Sequence, residues 1–229
     1  MINRLLFLLI FFGGFSQVSF AEGKVVAVNV QGSVQISQNG NQQALKENNQ
    51  LSSSDKILTS EKTQVDLVCN DRWVLRILPN TELLLSKLGD FETQIDLQKG
   101  EALFYVAENK VRKFEVITPT AAATVRGQTK FWGKVMPQNK LSSGVFGVRE
   151  GILEVHLRAL EFDVTLNEGQ AVDLPTGFQF PALRELKEVE KNTMQKIDEI
   201  PTLLLKANIE NELYVLNQLN DLSDSKRKP

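Results

Sequence analysis

His156 is the single histidine of a 229-residue chain and Cys69 its single cysteine, and these two scarcities limit the available chemistry. A Ser-His-Asp or Cys-His relay would need His156 as its base. That residue lies in Leu153-Glu154-Val155-His156-Leu157-Arg158, where apolar and polar side chains alternate. The period of two puts His156 on the polar face of a strand, as an exposed cross-strand residue. Catalytic zinc draws on two or three histidines and structural zinc on clustered cysteines; one of each builds neither. A carboxylate-only calcium site stays open, although no EF-hand loop or dense Asp/Asn run is present. Paired carboxylates can act as acid and base on a glycosidic bond, but 28 Asp and Glu residues make candidate pairs plentiful and uninformative. No Walker-type loop and no strand–GxGxxG–helix unit occurs. The expectation is a protein with no enzyme activity, no metal and no cofactor.

Cys69 ends Val65-Asp66-Leu67-Val68-Cys69 in phase with Val65 and Leu67, which favours a small buried apolar side chain over the alternative of a reactive thiol. Alone, it can form no internal disulfide. Trp73 and Trp132 are the two indoles. They could form a stacking platform for a sugar, but each also fits a strand, where an aromatic serves the core or a cross-strand pair. Core packing is the preferred reading and glycan contact the alternative. A formal charge of −2 argues against nucleic acid, which requires a basic stripe. The short clusters Lys110-Val111-Arg112-Lys113 and Lys226-Arg227-Lys228 read as solvated.

Most of the chain that must hold these residues alternates β-rich runs with turn residues. Candidate strands are Val25–Val30, Val34–Ser37, Val65–Cys69, Trp73–Leu78, Thr81–Ser86, Phe91–Leu97 and Glu101–Val106. Phe114–Thr118, Thr129–Val135, Val145–Arg149, Ile152–Arg158, Phe162–Leu166 and Gln170–Leu174 follow. Many short strands favour a sandwich or roll. Leu97-Gln98-Lys99-Gly100, Val148-Arg149-Glu150-Gly151 and Leu166-Asn167-Glu168-Gly169 repeat one pattern. Glycine there allows positive φ, which suits a tight hairpin with or without a bulge. Asn39-Gly40 is a further hairpin signal.

Both ends differ. Arg4 precedes an apolar run from Leu5 to Phe12, then Ser19-Phe20-Ala21 offers small residues at a cleavage spacing before Glu22. Residues 1–21 therefore read as a secretory signal peptide, with an uncleaved anchor as the alternative. The run is short of the ~20 apolar residues that a spanning helix needs. Residues 181–222 are rich in Leu, Glu and Lys. Leu183, Leu186, Val189, Ile197 and Ile200 sit at helical spacing, Pro201 interrupts, and a second helix is expected from about Leu203 to Leu219. This C-terminal helical hairpin would pack on the sheet or dock a partner; residues 223–229 read as a disordered tail.

The segment from Phe114 to Phe131, FEVITPTAAATVRGQTKF, resembles the signature of the FecR-like domain family: a strand ending Val-x-Thr-Pro, a small-residue stretch, then Val-Arg-Gly-Thr-x-Phe. Thr118, Pro119, Val125, Arg126, Gly127, Thr129 and Phe131 carry that likeness, and a structural role is expected for them. Asp55–Ser60, Ile95–Glu101, Val148–Gly151 and Leu166–Gln170 resemble the family's flanking turns. Three departures stand out. Ser54 replaces a glycine, Asn70-Asp71-Arg72-Trp73 lengthens a hairpin, and Gln128 is an extra residue that suggests a bulge. Arg126 is expected to clamp a turn, with Gly127 allowing a tight reversal. The resemblance implies a mainly β, FecR-like sandwich or roll of mostly antiparallel strands over residues 22–180. It also implies an exported protein, periplasmic or secreted, that recognises another envelope protein in a regulatory or assembly role. A carbohydrate- or peptidoglycan-binding module is the alternative. The family's name-giving member carries a cytoplasmic regulatory domain ahead of its membrane helix. Only Met1 to Arg4 precede the apolar run here, so no direct sigma-factor contact is expected.

Overall fold

The computed structural model describes residues 24–203, apart from Asn39, Asn70, Asp71, Asp90, Asn109, Lys110, Asn139, Lys140, Gly177 and Phe178. The expected signal peptide, most of the expected second helix and the expected tail lie outside the described residues.

The strands are β1 (Val25–Gln31), β2 (Val34–Gln38), β3 (Asn41–Ala44), β4 (Gln50–Leu51), β5 (Lys56–Thr59), β6 (Gln64–Cys69), β7 (Trp73–Ile77) and β8 (Glu82–Leu88). They continue as β9 (Glu92–Val106), β10 (Lys113–Ile117), β11 (Ala121–Gln138), β12 (Leu141–Leu157), β13 (Phe162–Leu166), β14 (Gln170–Leu174) and β15 (Ala182–Glu185), before helix α1 (Glu188–Gln195). The fold is mainly β, as expected. The β2–β3 hairpin turns between Gln38 and Asn41, where Asn39-Gly40 placed it.

Register divides the strands into two layers. The first runs β3-β2-β5-β8-β9-β10-β11-β12-β13, using residues 92–99 of β9, 121–126 of β11 and 152–157 of β12. The second runs β4-β1-β6-β7-β9-β11-β12-β14-β15, using residues 100–106, 129–138 and 141–150 of the same three strands. The β9–β10 pairing is parallel.

Strands β9, β11 and β12 belong to both layers and bend where they cross, at Gly100 (φ +89°), Gly127 (φ +71°) and Gly151 (φ +92°). Positive φ adds a bulge and turns the strand without ending it. The hairpin expected at Gly100 and at Gly151 is thus corrected. Phe91–Leu97 and Glu101–Val106 are parts of one strand, as are Val145–Arg149 and Ile152–Arg158. A turn and a bulge ask the same backbone freedom of glycine, so the repeated pattern does not separate them. Gly169 does sit in the turn joining β13 to β14.

Between the layers lies an aromatic core. Phe104 stacks on Phe131 with ring centroids 4.6 Å apart, and Trp73 meets Phe114 edge to face at 5.8 Å. Cys69 is buried among these inward side chains, in the phase its strand predicts.

The outer face of the second layer is covered as well. Leu186, Met194, Ile197 and Ile200 pack there against Val68, Val74, Leu103, Trp132, Val145 and Ala171. This corrects the helix expected from Leu183 onward. Ala182–Glu185 pairs antiparallel with β14, which covers the edge that β14 would otherwise leave unpaired. Leu183 and Val189, read as part of an apolar stripe, are 53% and 77% exposed. Leu186, Met194, Ile197 and Ile200 are the residues of this stretch that turn toward the sheet.

Candidate functional site

The motif begins in the turn that joins β10 to β11 and continues along β11 from the first layer into the second. Strand β10 stops before Pro119, which has no N–H to offer the ladder. The Thr118 amide donates to the Ala121 carbonyl at 2.8 Å, and Thr118 Oγ1 accepts from the Ala121 amide at 3.0 Å. Arg158 Nη2 donates to the Thr118 carbonyl at 2.6 Å, which ties this turn to the end of β12. Val125 and Phe131 point into the core. Thr129 is fully buried, its Oγ1 donating to the Ile152 carbonyl at 3.2 Å. Arg126 faces solvent and pairs with Glu154 at 2.7 Å. Gly127 makes a bulge in a continuing strand, not the expected reversal. The register shifts between Arg126 and Lys130, where Gln128 stands as the extra residue.

His156 lies opposite Asp163, its Nδ1 2.8 Å from that carboxylate, on an exposed face. Trp73 is 0% exposed in the core and Trp132 3% exposed. Trp132 Nε1 donates to Glu101 at 2.6 Å beneath the C-terminal segment. Neither indole presents an open face for stacking. Among the described residues no cluster of three His, Cys, Asp or Glu side chains could hold a metal ion.

The most elaborate arrangement of side chains is the outer face of the second layer and the strap, residues 186–203, lying across it. Gly147 leaves bare backbone for the strap to rest on: a Cβ there would lie 2.7 Å from Leu186 Cδ2 and 3.3 Å from Trp132 Cε3. Beneath the strap, Arg76 and Asp66 form a two-bond ion pair at 2.7 and 3.0 Å. Asn29 Nδ2 also donates to Asp66, at 2.9 Å. Arg76 reaches upward too, with Nη1 3.4 Å from the Lys196 carbonyl and 3.6 Å from Glu199. Burial alone would lower the Arg76 pKa, but Asp66 and Glu199 outweigh it and hold the guanidinium charged.

Further ion pairs ring this apolar contact. Asp198 accepts from Arg149 at 2.6 Å and lies 3.7 Å from Lys130. Arg184 grips Asp173 and Glu190, each at 2.7 Å. Hydrogen bonding to Arg149 draws the Asp198 pKa below the usual carboxylate range, and Arg184 does the same for Asp173. Burial pushes Glu190 upward, but Arg184 and the Lys187 amide reverse that and leave it lowered. Glu190 Oε2 accepts the Lys187 amide at 2.8 Å, which caps α1. An apolar centre, a charged rim and a short helix seated on a sheet share the anatomy of a protein interface.

Sequence reading anticipated Leu186, Ile197 and Ile200 as the strap's apolar side. It did not identify the face that receives them. A partial signal was present: Val68 and Val74 stand on the outward phases of β6 and β7, where a face open to water would be polar throughout.

A family model described as FecR protein matches residues 55–154. Two solved structures, each described as a "putative anti-sigma factor" from Parabacteroides distasonis ATCC 8503, resemble the chain with TM-scores of 0.48 and 0.47 at 20% identity. Each match covers 57% of this chain and 59% of the other, so the chain spans about three-fifths of those relatives' length. No curated protein matches it. The matched span, residues 55–154, takes in all three strand bends and the whole Thr118–Phe131 motif.

Proposed function

We propose that this chain is an exported, non-enzymatic regulatory protein of the bacterial envelope, periplasmic in the first instance, that acts by recognising another envelope protein. The FecR-family domain supports a regulatory or envelope role. The observation that carries the finer reading is the strap. The chain has built a face that binds a short helical segment through Trp132, Leu103 and Val145, rimmed by Arg149, Lys130 and Arg76. That face is suited to a partner segment of like character, and the strap is its occupant until the partner competes.

Two measurements test this. Cell fractionation with mass spectrometry of the N-terminus should find the protein outside the cytosol and beginning at Glu22; a cytosolic protein that keeps residues 1–21 refutes the export step. A photo-crosslinker at Tyr105, partly buried beneath the strap, should capture one defined envelope protein. Its yield should rise when Ile197→Ala and Ile200→Ala loosen the strap. Capture that ignores the strap, or equals that from a crosslinker at Gln94 in the other layer, refutes the recognition step.

A further inference from the structure

We propose that a cavity of about 360 Å³ at the motif end of the sandwich binds a small apolar carboxylate, with Arg158 as its anion-binding group. Pro119, Leu157, Leu160 and Pro175 give the cavity apolar walls, and Arg158 and Gln179 supply its polar contacts. Its size lies within the usual range for small-molecule sites, which combine apolar walls with a few placed polar groups. None of these residues belongs to the strap or to the face beneath it.

The state of Arg158 points to the ligand. Arg76, Arg126, Arg149 and Arg184 each hold a carboxylate within 2.7 Å. Arg158 is different: its Nη2 donates to the neutral Thr118 carbonyl at 2.6 Å. Among the described residues no carboxylate lies within ion-pair distance of it. The carbonyl contact anchors one nitrogen of the guanidinium, and among the described residues Nε and Nη1 have no hydrogen-bond partner. A positioned fork of this kind matches the planar, two-oxygen geometry of a carboxylate. Apolar surface continues outward from the cavity. Phe162 stands opposite Leu157 in the β12–β13 register and meets Phe180 edge to face at 6.5 Å. These two rings are 44% and 78% exposed, an apolar apron beside a cationic rim. The ligand that satisfies both is an aliphatic or aromatic monocarboxylic acid.

The test uses the whole secreted-form chain, isotope-labelled, titrated with octanoate and separately with octan-1-ol. Octanoate should shift the backbone amides of Ala159, Leu160 and Gln179 saturably, and octanol should bind at least tenfold more weakly. Arg158→Met should abolish that preference, and Arg158→Lys should keep part of it. Leu160→Trp, which fills the cavity and keeps the guanidinium, should abolish binding of both. Octanoate that leaves these amides unmoved, or equal binding of the acid and the alcohol to the natural chain, overturns the proposal. That comparison decides the matter even where a variant fails to fold.

Discussion

Ile197→Ala is the sharpest probe of whether the strap is a separable unit. Ile197 is 0% exposed, packed on the outer face of the second layer and not in the core between the layers. Truncating a fully buried isoleucine removes its transfer free energy and leaves a cavity, about 2–5 kcal/mol together. If the sandwich and the strap unfolded as one, that loss would appear in global stability. The contacts point to two units, because beyond the Leu186 amide, which donates to the Gly169 carbonyl at 2.9 Å, the strap rests on the sheet through side-chain contacts, while the layers are joined by three continuous strands. A loss of about 3 kcal/mol then falls on strap docking alone, and by about 1.4 kcal/mol per tenfold it corresponds to a population shift on the order of a hundredfold.

Amide exchange resolves the two cases residue by residue. The amides of Ile197 and Ile200, bonded to the Met194 and Ile197 carbonyls at 2.9 and 3.0 Å, should exchange about a hundredfold faster in the variant. Leu67 and Leu75, paired with each other in β6 and β7, should keep their natural rates. The indole N–H resonance of Trp132 should move toward a solvated position, and that of Trp73 should stay where it is. Equal acceleration in strap and sandwich would refute the reasoning by showing one cooperative unit. Unchanged exchange in the strap would show that the helix is not held through this side chain.

Acid should release the strap from the same face. Asp173, Asp198 and Glu190 have lowered folded-state pKa values, so the stability they contribute is fully present above their unfolded values of about 4 and is lost as pH falls through the folded ones; the Trp132 indole resonance followed from pH 6 downward should move only below about pH 4. Gly151→Ala should be far more damaging than Gly169→Ala. Both have positive φ, but a Cβ at Gly151 meets Thr129 Oγ1 at 2.7 Å and the Gln128 carbonyl closer still, whereas Gly169 has open space. Thermal melts should show a loss above about 3 kcal/mol for the first and about 1 kcal/mol for the second. Ser54→Gly should stabilise by up to about 1 kcal/mol, because Ser54 holds φ +72°, in the left-handed region that favours glycine; a lowered melting temperature would count against that.

Period-two alternation is a local property, and what depended on it was legible. The β6 alternation put Cys69 inside, and the β12 alternation put His156 on the outer face opposite Asp163. What was not legible depended on partners distant in the chain. Ala121–Arg126, which includes the small-residue stretch of the motif, falls outside the candidate strands because Ala carries little apolar signal. It is a strand because β10 and β12 flank it on both sides. Ala182–Glu185 reads as helix on composition, but the open side of β14 and the Arg184–Asp173 pair make it a strand. In both cases tertiary pairing overrides a weak local preference.

Asp66 and Arg76 bring these strands together with the proposed role. A face sealed permanently by a helix has no need of a buried ion pair, since well-packed apolar residues of similar volume are often as stable or more so. Their positions are the outward phases of β6 and β7, directly below Lys196 and Glu199. There the pair weakens the covered state by its desolvation, and it eases the bare state, in which water reaches both charges. Trp132 works in the same direction by keeping its N–H on Glu101, whose carboxylate also meets Lys134 at 3.4 Å near the edge of the cover. A sheet face built this way loses less on being uncovered than one lined by apolar side chains alone. Together with anchors gathered in one short segment, that narrows the free-energy gap between covered and bare to what a competing protein segment can supply.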